Sequence, residues 1–218
     1  MRVVAWFLLC CVMSASVVAE DDRASRDAAR ADLQQAQTLP ANAARGEGLY
    51  ATCAACHGVT GMGQPDGNAP VIARQHYSVL LKQLIDYRHA ERWDLRMEHV
   101  VELKKFTQLQ DLVDVAAYVS AMLNPGMTGV GSGQYLREGA WTFVLRCAAC
   151  HGASAAGSDV SGVPRLAGQH YEYLRRQFFD VAEGRRPQLS ASHGRLLHEL
   201  NKADVDGMAD YLSRIVVP

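Results

Sequence analysis

CAACH at residues 53–57 returns letter for letter at 147–151, and these two stretches hold every cysteine that follows residue 11. The repetition extends well beyond them. Sliding the 218-residue chain by 94 positions brings Pro70, Ala73, Gln75, His76 and Tyr77 onto Pro164, Ala167, Gln169, His170 and Tyr171. Farther on, Leu80, Gln83, Arg92 and His99 fall on Leu174, Gln177, Arg186 and His193. Toward the ends the offset becomes 93, pairing DLVDVAAYVS at 111–120 with DVDGMADYLS at 204–213. Self-similarity over this span means one domain duplicated.

Several segments frame the duplication. MRVVAWFLLCCVMSASVVAE places Arg2 ahead of a short apolar run and ends it on small residues, which predicts a secretory signal over 1–19. Leu8 and Leu9 ahead of Cys10 speak against a lipid anchor. No later stretch approaches the ~20 apolar residues of a membrane span. Residues 20–40 form an alanine-rich, charged extension, consistent with an exposed helix or a mobile arm. The first copy then covers 41–123, NPGMTGVGSG at 124–133 reads as a linker, and the second copy covers 134–218. Helix-forming segments such as YSVLLKQLIDYRHAERW and QDLVDVAAYVSAML alternate with glycine and proline loops, and the predicted class is all-α. The formal charge is −1, and losing Arg2 makes it −2, a balance that argues for neither nucleic acid nor an anionic membrane as partner.

Cysteines two residues apart with a histidine directly after them carry a specific chemistry. The two thiols can bond to the two vinyl positions on one edge of a haem while the imidazole reaches the iron, so attachment and proximal ligation come from one short turn. An aromatic content of 7% is thin for two small cores built of side chains alone, and large apolar cofactors would fill them. A redox CxxC would want a βαβ context that is missing. A shared zinc site would leave the histidine after each pair unexplained.

CAACHG, then P-x-L-A-G-Q-H-Y-x-Y-L-x-x-Q, then G-x-R, then an A-x-Y-L helix, doubled across 41–218, resembles the two-haem class I cytochromes of the cytochrome c₄ type. The resemblance implies two tandem cytochrome c domains, each wrapped around one covalent haem c. It implies thioether attachment at Cys53, Cys56, Cys147 and Cys150, with His57 and His151 as proximal iron ligands. Pro70 and Pro164 follow those histidines by the same 13 residues and match a loop proline whose carbonyl orients the proximal ring. Tyr118 and Tyr211 match an aromatic position on the terminal helix. The implied role is that of a periplasmic carrier in a bacterium, passing electrons between redox proteins that could include membrane-bound respiratory complexes.

The distal side departs from that family, whose members usually place a methionine after the G-x-R stretch. EGRRPQLSASHGRLLHEL contains none, Met208 comes too late, and His193 stands at the expected position. RWDLRMEHVVEL in the first copy offers both Met97 and His99, and the offset of 94 favours His99. The expectation is therefore bis-histidine iron at both sites, His57 with His99 and His151 with His193. His76 and His170 read as packing or surface residues, His89 and His198 as solvated or locally bonded. The arginines are expected mostly in solvent, Arg92 and Arg186 being the candidates for haem propionates.

An iron with two protein ligands has no open position, which favours an electron carrier over an enzyme. The alternatives are a two-haem peroxidase, an enzyme oxidising sulfur compounds, or a gas sensor, each needing a distal ligand that leaves. Thiosulfate-oxidising relatives use a distal cysteine, and here all four are committed to attachment.

Overall fold

The computed structural model describes residues 23–102, 104–123, 126 and 128–216. The predicted signal over 1–19 lies outside the described residues, as do Asn124, Pro125 and Met127 of the predicted linker. The chain is all-α. Among the described residues the only extended pairing is an isolated bridge between Ser158 and Val163, and no helix is long and apolar enough to cross a membrane.

Helix α1 (23–36) comes first. The first copy then builds α2 (Ala43–His57), α3 (Tyr77–Arg88), α4 (Leu95–Glu102), a 3₁₀ turn at Lys104–Phe106 and α5 (Leu109–Ala121). The second repeats the order with α6 (Leu136–Arg146), α7 (Ala148–His151), α8 (Tyr171–Ala182), α9 (Ala191–His198) and α10 (Lys202–Ser213).

In both copies the first and last helices cross in close contact, and glycine makes the crossing possible. A Cβ at Gly46 would collide with the Asp114 carbonyl, and one at Gly139 with the Gly207 carbonyl. Two aromatic rings lie beside each crossing: Tyr50 on Tyr118 at 5.4 Å between centroids, Phe143 on Tyr211 at 6.0 Å. The last helices also start alike, the Gln108 N–H bonding the Asp111 carboxylate and the Asn201 N–H that of Asp204.

The first core gathers Tyr50, Leu81, Ile85, Phe106, Leu112 and Val119; the second gathers Phe143, Leu174, Phe178, Leu197, Met208 and Leu212. Helix α1 belongs to the first core alone. Its Ala29 and Ala36 are buried there, Asp32 Oδ2 pairs with His89 Nε2 at 2.8 Å, and Ser25 Oγ donates to the His89 carbonyl. The extension is thus a packed helix, and His89 is its anchor.

The copies face each other across a seam with approximate two-fold symmetry. The Gln169 side chain makes both backbone bonds to Val71, accepting from its N–H and donating to its C=O, each at 2.8 Å. Gln75 treats Arg165, the residue 94 positions on from Val71, in the same way at 2.9 and 3.0 Å. His76 Nε2 reaches the Ala156 carbonyl at 2.7 Å, and His170 Nε2 reaches that of Met62 at 2.6 Å. These histidines hold one domain's loop against the other.

Candidate haem sites

Each CAACH ends a helix, so its histidine is delivered at a fixed angle from the cysteines. His57 closes α2 and His151 closes α7; both are buried, while Cys56 and Cys150 stay exposed. Burial pushes the thiols of Cys53 and Cys147 up to about 11 each, the mark of an apolar surrounding. The Nδ1 of His57 lies 3.0 Å from the Pro70 carbonyl, and that of His151 lies 3.0 Å from the Pro164 carbonyl. Nδ1–H therefore donates, and Nε2 is left as the free lone pair that an iron would take. Burial is the chief cause that lowers the affinity of both rings for a second proton, which keeps that lone pair available.

Opposite His151 stands His193, its ring centroid 6.3 Å away and its plane turned by 75°. A metal–imidazole bond of about 2 Å on either side, with each nitrogen about 1.1 Å from its ring centre, asks for about 6 Å between centroids. The pair is spaced to clasp one metal. Its N-terminal cap holds it there: Ser190 Oγ accepts from the His193 N–H, starting α9 just ahead of the ring.

The first copy differs. Among the described residues no histidine ring stands over His57 as His193 stands over His151. His99 is exposed and Met97 is half-buried. Asp94 and Arg96 are the charged side chains close enough to act on His57, after burial and the Pro70 bond. Asp94 immediately precedes α4 and Arg96 is its second residue. Met208 packs in the second core with its sulfur 3.7 Å from Cys147 Sγ, beside the attachment cysteine rather than opposite His151.

The arginines also depart from expectation. Arg92 is buried in the seam, donating to Tyr173 Oη at 2.7 Å and Gln177 Oε1 at 3.1 Å, and it shares Gln83 Oε1 with Arg186. Burial and then the Arg92 charge pull Arg186 down to about 10. The neighbouring carboxylate, Asp86, is already bonded by Lys82 at 2.6 and 2.8 Å. Directly after Pro164, Arg165 buries its Nε without a hydrogen-bond partner in the protein. A guanidinium with an unfilled buried donor, as in Arg165, fits a ligand that carries carboxylate groups, as haem does. Sequence reading missed Arg165 because its repeat position is Val71, which carries no charge. Among the described residues no three His, Cys, Asp or Glu side chains converge, as a zinc site would need.

The family model described as cytochrome c matches twice, at 43–122 and 136–215. Cytochrome c4 of Pseudomonas aeruginosa is 35% identical over 157 residues, 66% of this chain and 73% of that protein. Cytochrome c4 of Stutzerimonas stutzeri is 30% identical over 188 residues, 78% of this chain and 88% of that one. The crystal structure of reduced recombinant cytochrome c4 from Pseudomonas stutzeri superposes with a TM-score of 0.72 at 28% identity, covering 81% of this chain and 100% of that chain. The chain belongs to the cytochrome c family, as an electron-transfer member of the cytochrome c4 type with two covalently bound haem c groups.

Proposed function

We propose that the protein is an exported, periplasmic carrier that takes single electrons from one redox protein and hands them to another, membrane-bound respiratory complexes among the candidates. Cys53 and Cys56 attach the first haem and Cys147 and Cys150 the second; His57 and His151 are the proximal ligands. His193 is the distal ligand of the second site, which makes that site bis-histidine. The first takes its distal ligand from α4, which carries Met97 and His99. Arg92, Arg186 and Arg165 offer their guanidiniums to the haem carboxylates. The bound groups supply one-electron redox chemistry, and the protein's part is to fix them, exclude water and set their potentials.

The observation that carries the reading is the 6.3 Å spacing of His151 and His193. An iron clasped from both sides has no place for peroxide, a sulfur compound or a gas, which favours transport over catalysis. Mass spectrometry after acid-acetone extraction should find two haems retained, and a mass with one would remove the two-site carrier. Carbon monoxide should bind the reduced protein slowly. Rapid binding would return the peroxidase and sensor alternatives.

A further inference from the structure

We propose that the two sites are ligated unlike each other, Met97 serving the first domain and His193 the second, so that an electron received at the second domain runs downhill to the first. This rests on the dihaem carrier reading and goes beyond it.

The argument is one of register. Helices α4 and α9 are each eight residues long. Their first turns close in the same way, the Glu98 N–H donating to the Asp94 carbonyl at 2.9 Å and the Gly194 N–H to the Ser190 carbonyl at 3.2 Å. Asp94 and Ser190 are therefore equivalent caps, and Met97 and His193 are both the third residue beyond them. The offset between copies here is 96, two more than the sequence alignment uses. Upstream it is still 94, since the Glu91 N–H to Asp86 carbonyl bond is matched by that from Arg185 to Asp180. The two added residues fall between Arg185 and Ser190.

In the second domain the third helical residue is the one that faces the proximal histidine. A residue two positions later is turned by about 200° around the helix axis and faces away. That later position is Arg195 in α9 and His99 in α4, and both are exposed, whereas Met97 and His193 are half-buried. Bringing His99 over His57 would require unwinding α4. Met97 already holds the register position of His193 and carries an unbranched, adaptable side chain.

The consequence follows from ligand chemistry. Thioether sulfur favours ferrous iron and a second imidazole favours ferric, so the first site has the higher potential. A one-electron donor protein reduces the second site. The electron then passes to the first, one iron going from ferrous to ferric as the other goes from ferric to ferrous, and a one-electron acceptor protein removes it. No bond or proton changes hands.

The test uses the holoprotein. Oxidised wild type should show the near-infrared charge-transfer absorption of iron bound to thioether sulfur, at the strength of one haem of two. Met97→Ala should abolish it and His99→Ala should leave it. Reduced wild type should show one methionine methyl resonance displaced far upfield, a readout that does not depend on any variant folding. Redox titration should resolve two midpoints, with His193→Met raising the lower one alone. Two retained haems with no sulfur band, a band at twice the strength, or a band surviving Met97→Ala would each overturn the proposal. A single haem by mass would instead bring down the carrier reading beneath it.

Discussion

The two copies of the CAACH helix are not built alike. In the first domain α2 runs unbroken from Ala43 to His57, whereas in the second the helix breaks at Cys147 and restarts as α7. Cys53 lies seven positions after the crossing glycine Gly46, and Cys147 eight after Gly139. The extra residue cannot be absorbed at either end, because the glycine crossing and the attachment turn are both fixed by packing. It is expelled as a break. The domains also differ in support, since α1 adds Ala29 and Ala36 to the first core and, among the described residues, the second has no such helix in its core. Duplicated domains thus agree at their anchor points and diverge between them.

The largest expected effect follows from that unequal support. With the proposed attachment, Cys147→Ser and Cys53→Ser should each weaken the hold on one haem, and with it much of a small core. The second domain, lacking a helix like α1, should lose more. Thermal melts of the holoproteins should show Cys147→Ser falling well beyond the ~0.5 kcal/mol of an ordinary surface change and farther than Cys53→Ser. Equal losses would show that α1 contributes little to the first domain.

A symmetric effect is expected at the crossings. Gly46→Val and Gly139→Val each drive a side chain into a backbone carbonyl of the last helix, an overpacking of about 1–3 kcal/mol or more. Denaturant titration of the two variants should give similar losses. A clear inequality would mean that the break at Cys147 lets α6 move aside.

How much of this was legible in the sequence follows the same division between anchors and intervals. The duplication, the all-α class and the loop prolines were readable because cysteine, histidine and proline mark anchor points whose chemistry fixes spacing. The distal register was not. Two residues enter between Arg185 and Ser190, and three leave between the distal helix and the caps Gln108 and Asn201. The net change from 94 to 93 hides both, so an alignment carried forward pairs His99, rather than Met97, with His193. The burial of Arg92 and the half-burial of Arg186 beside it were equally hidden. Periodicity describes one helix, and their environment is made by the docking of two domains.

The seam supplies a pH-dependent effect. The Gly129 N–H donates to His170 Nδ1 at 3.0 Å while Nε2–H donates to the Met62 carbonyl, so a second proton would set N–H against N–H. Burial is the main cause that lowers the His170 pKa below its ordinary 6.5, opposed in part by the Met62 bond and Asp66. The sign follows: the folded chain refuses a proton that the unfolded chain accepts. Stability is full above about pH 6.5 and falls as the pH drops toward the folded value, levelling below it. Melting temperatures of wild type should decline through this window, and His170→Gln should flatten part of the decline. An unchanged slope would assign it to other groups.

The smallest effect tests the distal helices themselves. Ser190→Ala removes the side-chain acceptor of the His193 N–H, and Asp94→Ala removes the carboxylate that accepts from the Arg96 N–H at 3.1 Å and from its guanidinium at 3.1 and 3.2 Å. Loss of a cap costs about 1 kcal/mol, too little to unfold a domain. Each cap nevertheless sets the azimuth of the residue three positions on, His193 in one helix and Met97 in the other. Fraying the first turn should therefore loosen the distal ligand before it affects the fold. Exogenous imidazole competing for the oxidised iron should displace the ligand faster in each variant, and in its own domain only. Asp94→Ala should give the larger acceleration, because Asp94 also anchors Arg96, whereas Ser190 holds the backbone alone. Acceleration of both haems by one variant would show that the distal helices are coupled through the seam, and that the domains do not act as two separate clasps.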